Sequence, residues 1–173
     1  MRRLILFRHA KAAAGAPGQG DVDRPLDARG RDDAMAMGVI LADAGVIPNL
    51  VLLSPSVRTR ETWDLAAPAL GCVPVKIATA IYDAAPEDIL AELRAVDGEA
   101  HTVMVVGHNP GLQELSVELL ITGRAPPREV ERIEAGFPTA AAAVFRLGED
   151  GRATLEGVLH PRNASRFKPD EPA

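Results

Sequence analysis

Four residues carry the chemistry this sequence suggests: Arg8, His9, Arg58 and His108. Arg8 and His9 end the apolar run Leu4-Ile5-Leu6-Phe7. His108 follows Gly107 at the end of a second run, Thr102-Val103-Met104-Val105-Val106. Residues just past the C-terminal end of a buried strand stand at the edge of an α/β sheet, where ligands bind. Two imidazoles delivered to one edge beside a guanidinium suit an anionic phosphoryl group better than a metal. Arginine is a permanently charged fork that matches phosphoryl oxygens, and no grouping of His, Cys and acids in the chain has metal-ligand spacing. A single histidine after a strand is more often a hydrogen-bonded structural residue; it is the set that carries the reading.

Arg58 enters from a third strand-like run, Leu50 to Leu53, followed by Ser54-Pro55-Ser56-Val57-Arg58. Ser54-Pro55 reads as N-cap and first helical residue. Arg58 then lies within the first two turns of a helix whose N-terminus itself favours an anion. Arg60, two residues on, points about 200° away and reads as a surface charge. Glu61, three residues on, is placed to pair with Arg58. Arg24 either contacts substrate or anchors its loop. Asn109, ahead of Pro110, reads as a helix cap and is also a candidate substrate contact. His101 and His160 have no partners at ligand spacing, and Cys72 reads as a small packed residue.

The elements that must position these side chains follow from patterning. Lys11 to Arg24 is a Gly- and Ala-rich loop whose glycines match neither the dinucleotide fingerprint nor the Walker pattern. Asp27 is an N-cap for a helix with Met37, Ile40, Leu41 and Ala44 inward, closed by Gly45. Trp63, Ala66, Ala67 and Leu70 give the second helix its apolar stripe. Val73 to Ile77 is a short strand, Tyr82-Asp83 a loop, and Pro86-Glu87-Asp88 the start of a helix whose acids complement its dipole. Leu112, Leu115, Leu119 and Leu120 form the buried face of the helix after His108. Thr122 to Gly136 is polar and reads as a long surface segment. Thr139 to Leu147 and Thr154 to Leu159 form a hairpin. Strands alternating with helices predict an α/β fold: a three-layer α/β/α sandwich, with a mostly parallel sheet and a C-terminal hairpin. One domain is expected over 1–161, with 162–173 a loosely ordered tail.

Composition narrows the function. A chain of 173 residues suffices for one domain with a real core. A formal net charge of −5, with both signs interspersed, argues against nucleic-acid binding. The single cysteine allows no internal disulfide. No signal peptide and no membrane-spanning run is apparent, so a cytoplasmic protein with no membrane association is expected.

Taken together, the motifs resemble those of the histidine phosphatase superfamily, with its phosphoglycerate mutase-like fold. Arg8-His9 is similar to the opening motif. Ser54-Pro55-x-x-Arg58-x-x-x-Thr62 and Gly107-His108-Asn109-Pro110 are similar to the second-arginine and second-histidine motifs. Arg24-Pro25-Leu26-x-x-x-Gly30 matches a recurrent segment. The short length and the wording are nearest to SixA-type phosphohistidine phosphatases. The resemblance implies that His9 is a nucleophile, with Arg8, Arg58 and His108 holding the phosphoryl group and no metal or other cofactor taking part. A neutral imidazole can attack phosphorus in line and form a phosphohistidine that water hydrolyses. The implied substrate is a phosphorylated protein bearing phosphohistidine. The alternatives are a small phosphorylated metabolite, such as a sugar or nucleotide phosphate, or a non-catalytic phosphoryl-binding module. Many members use a carboxylic acid to protonate the leaving oxygen; here no motif fixes one, and Asp83 and Glu87 are the candidates.

Overall fold

The computed structural model describes residues 1–96 and 98–162. Of the tail expected over 162–173, all but Arg162 lies outside the described residues. Six strands form one mixed sheet in the order β3-β2-β4-β1-β5-β6. They are β1 (Arg3–Arg8), β2 (Leu50–Leu53), β3 (Val75–Ile77), β4 (Thr102–Gly107), β5 (Ala142–Leu147) and β6 (Ala153–Leu159). The first four run parallel; β5 lies antiparallel to β1, and β6 to β5. The helices are α1 (Ala28–Asp43), α2 (Val57–Leu70), α3 (Pro86–Arg94), α4 (Gly111–Thr122) and α5 (Pro127–Glu134).

The central strands are apolar on both faces, as parallel strands covered by helices must be. Alternate residues feed two cores. Ile5, Phe7, Val51, Leu53, Met104 and Val106 pack against Met37, Leu41, Trp63, Ala66 and Leu70 of α1 and α2. Leu4, Leu6, Leu52, Val103 and Val105 pack against Ile89, Leu93, Leu112, Leu115, Leu120 and Ile133 of α3, α4 and α5. This is the expected three-layer sandwich with its C-terminal hairpin.

The parallel register decides where the chemistry goes. Arg8 is paired with Gly107, and Leu53 with Val106. The residues that follow, His9, Ser54 and His108, therefore emerge side by side at one edge. Their backbones continue the ladder, with His9 N–H donating to Gly107 O at 3.0 Å and Ser54 N–H to Val106 O at 3.1 Å.

Two glycines let the flanking loops close on that edge. A Cβ at Gly30 would lie 2.1 Å from the Lys11 carbonyl oxygen, and one at Gly111 would lie 2.1 Å from the Ala84 carbonyl oxygen. Gly30 thus lets the loop after β1 dock on the start of α1. Gly111 lets the loop after β3 dock on the start of α4, which brings Tyr82 to His108.

Asp27 caps α1 as expected, accepting from Gly30 N at 2.7 Å, and Gly45 follows the helix end with φ of 64°. Five sequence expectations need correction. The cap of α2 is Ser56, not Ser54, and α2 begins at Val57. Ser54 is still bonded into the sheet, and its hydroxyl is engaged by His108. Asn109 does not cap α4, which is flanked by Pro110; its side chain is spent on other partners. The polar segment 122–136 contains α5, which opens with proline at its first position and buries Ile133 to 1 % exposure. The third strand is only Val75–Ile77, an exposed edge strand, and Cys72 beside it is exposed rather than packed.

Candidate active site

His9 and His108 lie with ring centroids 5.1 Å apart. His9 Nδ1–H donates to its neighbour's carbonyl, Ala10 O, at 2.7 Å. That bond fixes the tautomer and leaves the Nε2 lone pair free. Burial, reinforced by Arg58, Arg8 and Arg24, pushes the His9 pKa down to about 4 despite the bond to Ala10. The ring is neutral at neutral pH and available as a nucleophile. Thr62, the last position of the second-arginine motif, ties this corner together. Its hydroxyl accepts from Ala10 N at 3.0 Å and donates to Arg58 O at 2.6 Å.

His108 is buried, and its Nε2 lies 2.7 Å from Ser54 Oγ. Burial, followed by the neighbouring His9 and Arg58, lowers its pKa to about 3. Its Nδ1 is buried and meets no protein partner, and the same is true of Arg8 Nε and Asn109 Oδ1. Unpaired buried polar atoms cost roughly 1–3 kcal/mol each. Two of these three can be donors beside the free Nε2 of His9, as an oxyanion site requires.

Arg8 is held by Phe137 O, to which its Nη1 donates at 2.6 Å. Asn109 Nδ2 donates to the same carbonyl at 3.1 Å and to Gln113 Oε1 at 2.9 Å. Gln113 in turn donates to Ile133 O and Glu134 O. Asn109 and Gln113 therefore fasten the segment after α5, and that segment aims Arg8. Arg58 is buried, while Arg60 is exposed, as the helix phase predicts. Arg58 does not pair with Glu61. Glu61 accepts from Leu26 N at 2.7 Å and Arg31 Nη2 at 2.8 Å, so it faces α1.

The partner of Arg58 is a residue that the sequence reading passed over, Asp21. Arg58 Nη1 donates to Asp21 O at 2.6 Å and Nη2 to Asp21 Oδ2 at 2.9 Å. Tyr82 Oη donates to the same Oδ2 at 2.8 Å, and the Tyr82 ring meets His108 edge-on at 5.3 Å. Arg24 donates to Ala13 O and, through Nη1, to Asp21 Oδ1 at 2.9 Å, so it anchors the loop. Asp21 sits in a loop with no helical or strand periodicity, and nothing in its spacing marks it.

Asp83 and Glu87 are exposed, and their side chains make no hydrogen bond or ion pair among the described residues. Asp83 has a positive φ of 51°. His101 is exposed at the opposite end of β4, and the His160 ring accepts from Arg162 N. No cluster of His, Cys and acids that could hold a metal occurs among the described residues. No helix there is long and apolar enough to cross a membrane.

A parallel-sheet edge bearing two imidazoles and two arginines is a candidate phosphoryl-transfer site. A model of the histidine phosphatase superfamily (branch 1) matches residues 4–85. The chain is 35% identical over 163 residues to the uncharacterized protein Rv1276c of Mycobacterium tuberculosis, covering 90% of this chain and 100% of the relative. A solved structure from Agrobacterium tumefaciens, assigned as a phosphohistidine phosphatase SixA, shares 32% identity with a TM-score of 0.82, covering 92% of this chain and 98% of that one. A protein histidine phosphatase SixA complexed with tungstate shares 27% identity with a TM-score of 0.78, covering 93% and 98%. The chain belongs to the histidine phosphatase superfamily. Within it, it is a phosphatase of the SixA type.

Proposed function

We propose that this phosphatase hydrolyses phosphohistidine on a cytoplasmic protein, through a phosphoryl-enzyme intermediate on His9 and without a metal ion. The observation that carries the reading is the state of His9. Its Nδ1–H is committed to Ala10 O, burial keeps the ring neutral, and Nε2 is left as the attacking atom. Arg8 and Arg58 hold equatorial phosphoryl oxygens as charge develops on them. Neutral His108, with Ser54 donating to Nε2, presents Nδ1–H as a further donor. In-line attack by Nε2 breaks the P–N bond, the leaving imidazole keeps the electron pair, and water then releases phosphate from His9.

Phosphohistidine fits better than an alkyl ester because the residues bonded around the site include no carboxyl that is free to protonate an alkoxide. Asp21, the one carboxyl there, is held ionised by Tyr82, Arg24 and Arg58. The test is turnover of a phosphohistidine protein against a panel of sugar, nucleotide and aryl phosphates, with and without EDTA, plus rapid quench. Acid-labile, alkali-stable phosphate should appear on the wild type and be absent from His9→Ala. Normal turnover by His9→Ala, or activity that EDTA removes and magnesium restores, would contradict the mechanism. Sugar phosphates turned over best would favour a small-molecule substrate.

A further inference from the structure

We infer that Asp21 is a specificity-determining residue, whose carboxylate receives the protonated ring of a departing imidazole and turns away leaving groups that depart as anions. The inference rests on the phosphohistidine reading above and names the chemistry by which the site makes that choice. An anion beside a phosphoryl-binding site is at first sight a defect, since it repels the group to be bound. It becomes useful if another part of the substrate is positive.

The geometry supplies the place. Asp21 opens a short 3-10 turn, Asp21–Asp23, in the loop between β1 and α1. Its Oδ2 accepts from Arg58 and Tyr82, and its Oδ1 from Arg24. A carboxylate offers about four acceptor positions, so about one remains. The side chain is 55% exposed, while that of Arg58, to which it is tied, is 9% exposed. Asp21 and Tyr82 thus form the solvent-facing rim above Arg58 and His108. In-line displacement puts the leaving group on the far side of phosphorus from His9 Nε2, and we take that side to be this rim.

The charge state supports the role. Bonds from Tyr82, Arg24 and Arg58 hold the Asp21 pKa down to about 2, so this carboxyl is no proton donor at neutral pH. It is a fixed acceptor. Phosphohistidine protonated on its second ring nitrogen is cationic in the ring and carries an N–H suited to that acceptor. The carboxylate raises the ring's affinity for this proton and keeps the P–N bond activated. When Nε2 of His9 bonds phosphorus and the P–N bond breaks, the ring leaves as neutral imidazole with its N–H still on Asp21. An alkoxide or phenoxide leaving at the same place gains negative charge against a carboxylate.

The test compares wild type with Asp21→Asn and Asp21→Glu on free phosphohistidine and on p-nitrophenyl phosphate. Asn keeps an acceptor oxygen for Arg58 and Tyr82 but loses the charge. Asp21→Asn should lose about tenfold or more in kcat/KM on phosphohistidine, as expected for one charge-assisted hydrogen bond. On p-nitrophenyl phosphate its kcat/KM should rise. Asp21→Glu should recover part of the phosphohistidine rate. Parallel losses on both substrates would reduce Asp21 to a support for Arg58 and overturn the inference, as would an unchanged ratio. A wild type that cleaves p-nitrophenyl phosphate but not phosphohistidine would overturn the substrate reading, and Asp21's role with it.

Discussion

Ser54 Oγ and His108 Nε2 lie 2.7 Å apart at the ends of neighbouring parallel strands, both buried. Ser54 also accepts from Thr59 Oγ1, through its backbone carbonyl, so the start of α2 holds it in place. When the hydroxyl donates to Nε2, the neutral ring carries its proton on Nδ1, the atom without a protein partner.

Ser54→Ala is therefore expected to lower kcat/KM by roughly tenfold, with little loss of fold, because the ring then has no fixed tautomer. Nitrogen NMR of the His108 ring should show mixed tautomers in the variant and one in the wild type. Wild-type kinetics in Ser54→Ala would show that His108 is oriented by packing alone.

Arg58→Ala should lose far more rate than Arg60→Ala. Removing one preorganised charge donor from such a site costs about 2.7–4 kcal/mol, or roughly 10²–10³ in rate. Arg58 is buried in the site, whereas Arg60 is exposed on the same helix. Comparable small losses in kcat for the two variants would remove Arg58 from the phosphoryl site.

These arginines also show what the sequence could and could not tell. Periodicity placed Arg58 inward and Arg60 outward, because a helix of about 3.6 residues per turn separates them in angle. Strand ends placed His9 and His108 together, because parallel strands in register must end at one edge. Asp21, Tyr82 and Phe137 were not legible in the same way. They reach the site through loop closure, which depends on close backbone approaches at Gly30 and Gly111 rather than on any repeat in the chain. The misplaced caps at Ser54 and Asn109 have one cause. Polar residues after a strand and before a helix are read as caps, but here their side chains serve the site and Ser56 caps instead. Segment 122–136 hid α5 because a short helix dominated by charge exposes most of its faces.

Acid should destabilise the protein earlier than its carboxylates alone would. The folded pKa values of His9 and His108 are about 4 and about 3, against 6.5 for an unperturbed histidine. Between those values the unfolded chain binds protons that the folded chain does not, so stability rises with pH across the window. The contribution is complete above about pH 6.5 and is lost as pH falls toward 4 and below. Urea midpoints should drop between pH 7 and 4.5, by an amount equivalent to roughly 2–3 kcal/mol per histidine. His9→Gln should flatten that slope. Equal slopes in the two proteins would mean that His9 titrates as it does in the unfolded chain.

The absence of a free acid at the rim makes the last prediction. An alkoxide is a poor leaving group at neutral pH, and a positioned acid is worth about 10²–10⁴ in rate. Asp83 and Glu87 are the carboxylates of the region after β3, but both are exposed, and neither is bonded to Tyr82, Arg58 or either histidine. An imidazole protonated by solvent needs no such group, because its second nitrogen titrates near neutral pH. Asp83→Asn and Glu87→Gln should therefore leave phosphohistidine hydrolysis within about twofold of wild type, and alkyl phosphates should be slow with all three proteins. The decisive measurement is kcat/KM for an alkyl phosphate in wild type and both variants. A fast wild-type rate that collapses in either variant would identify that residue as the acid and shift the substrate class to phosphomonoesters.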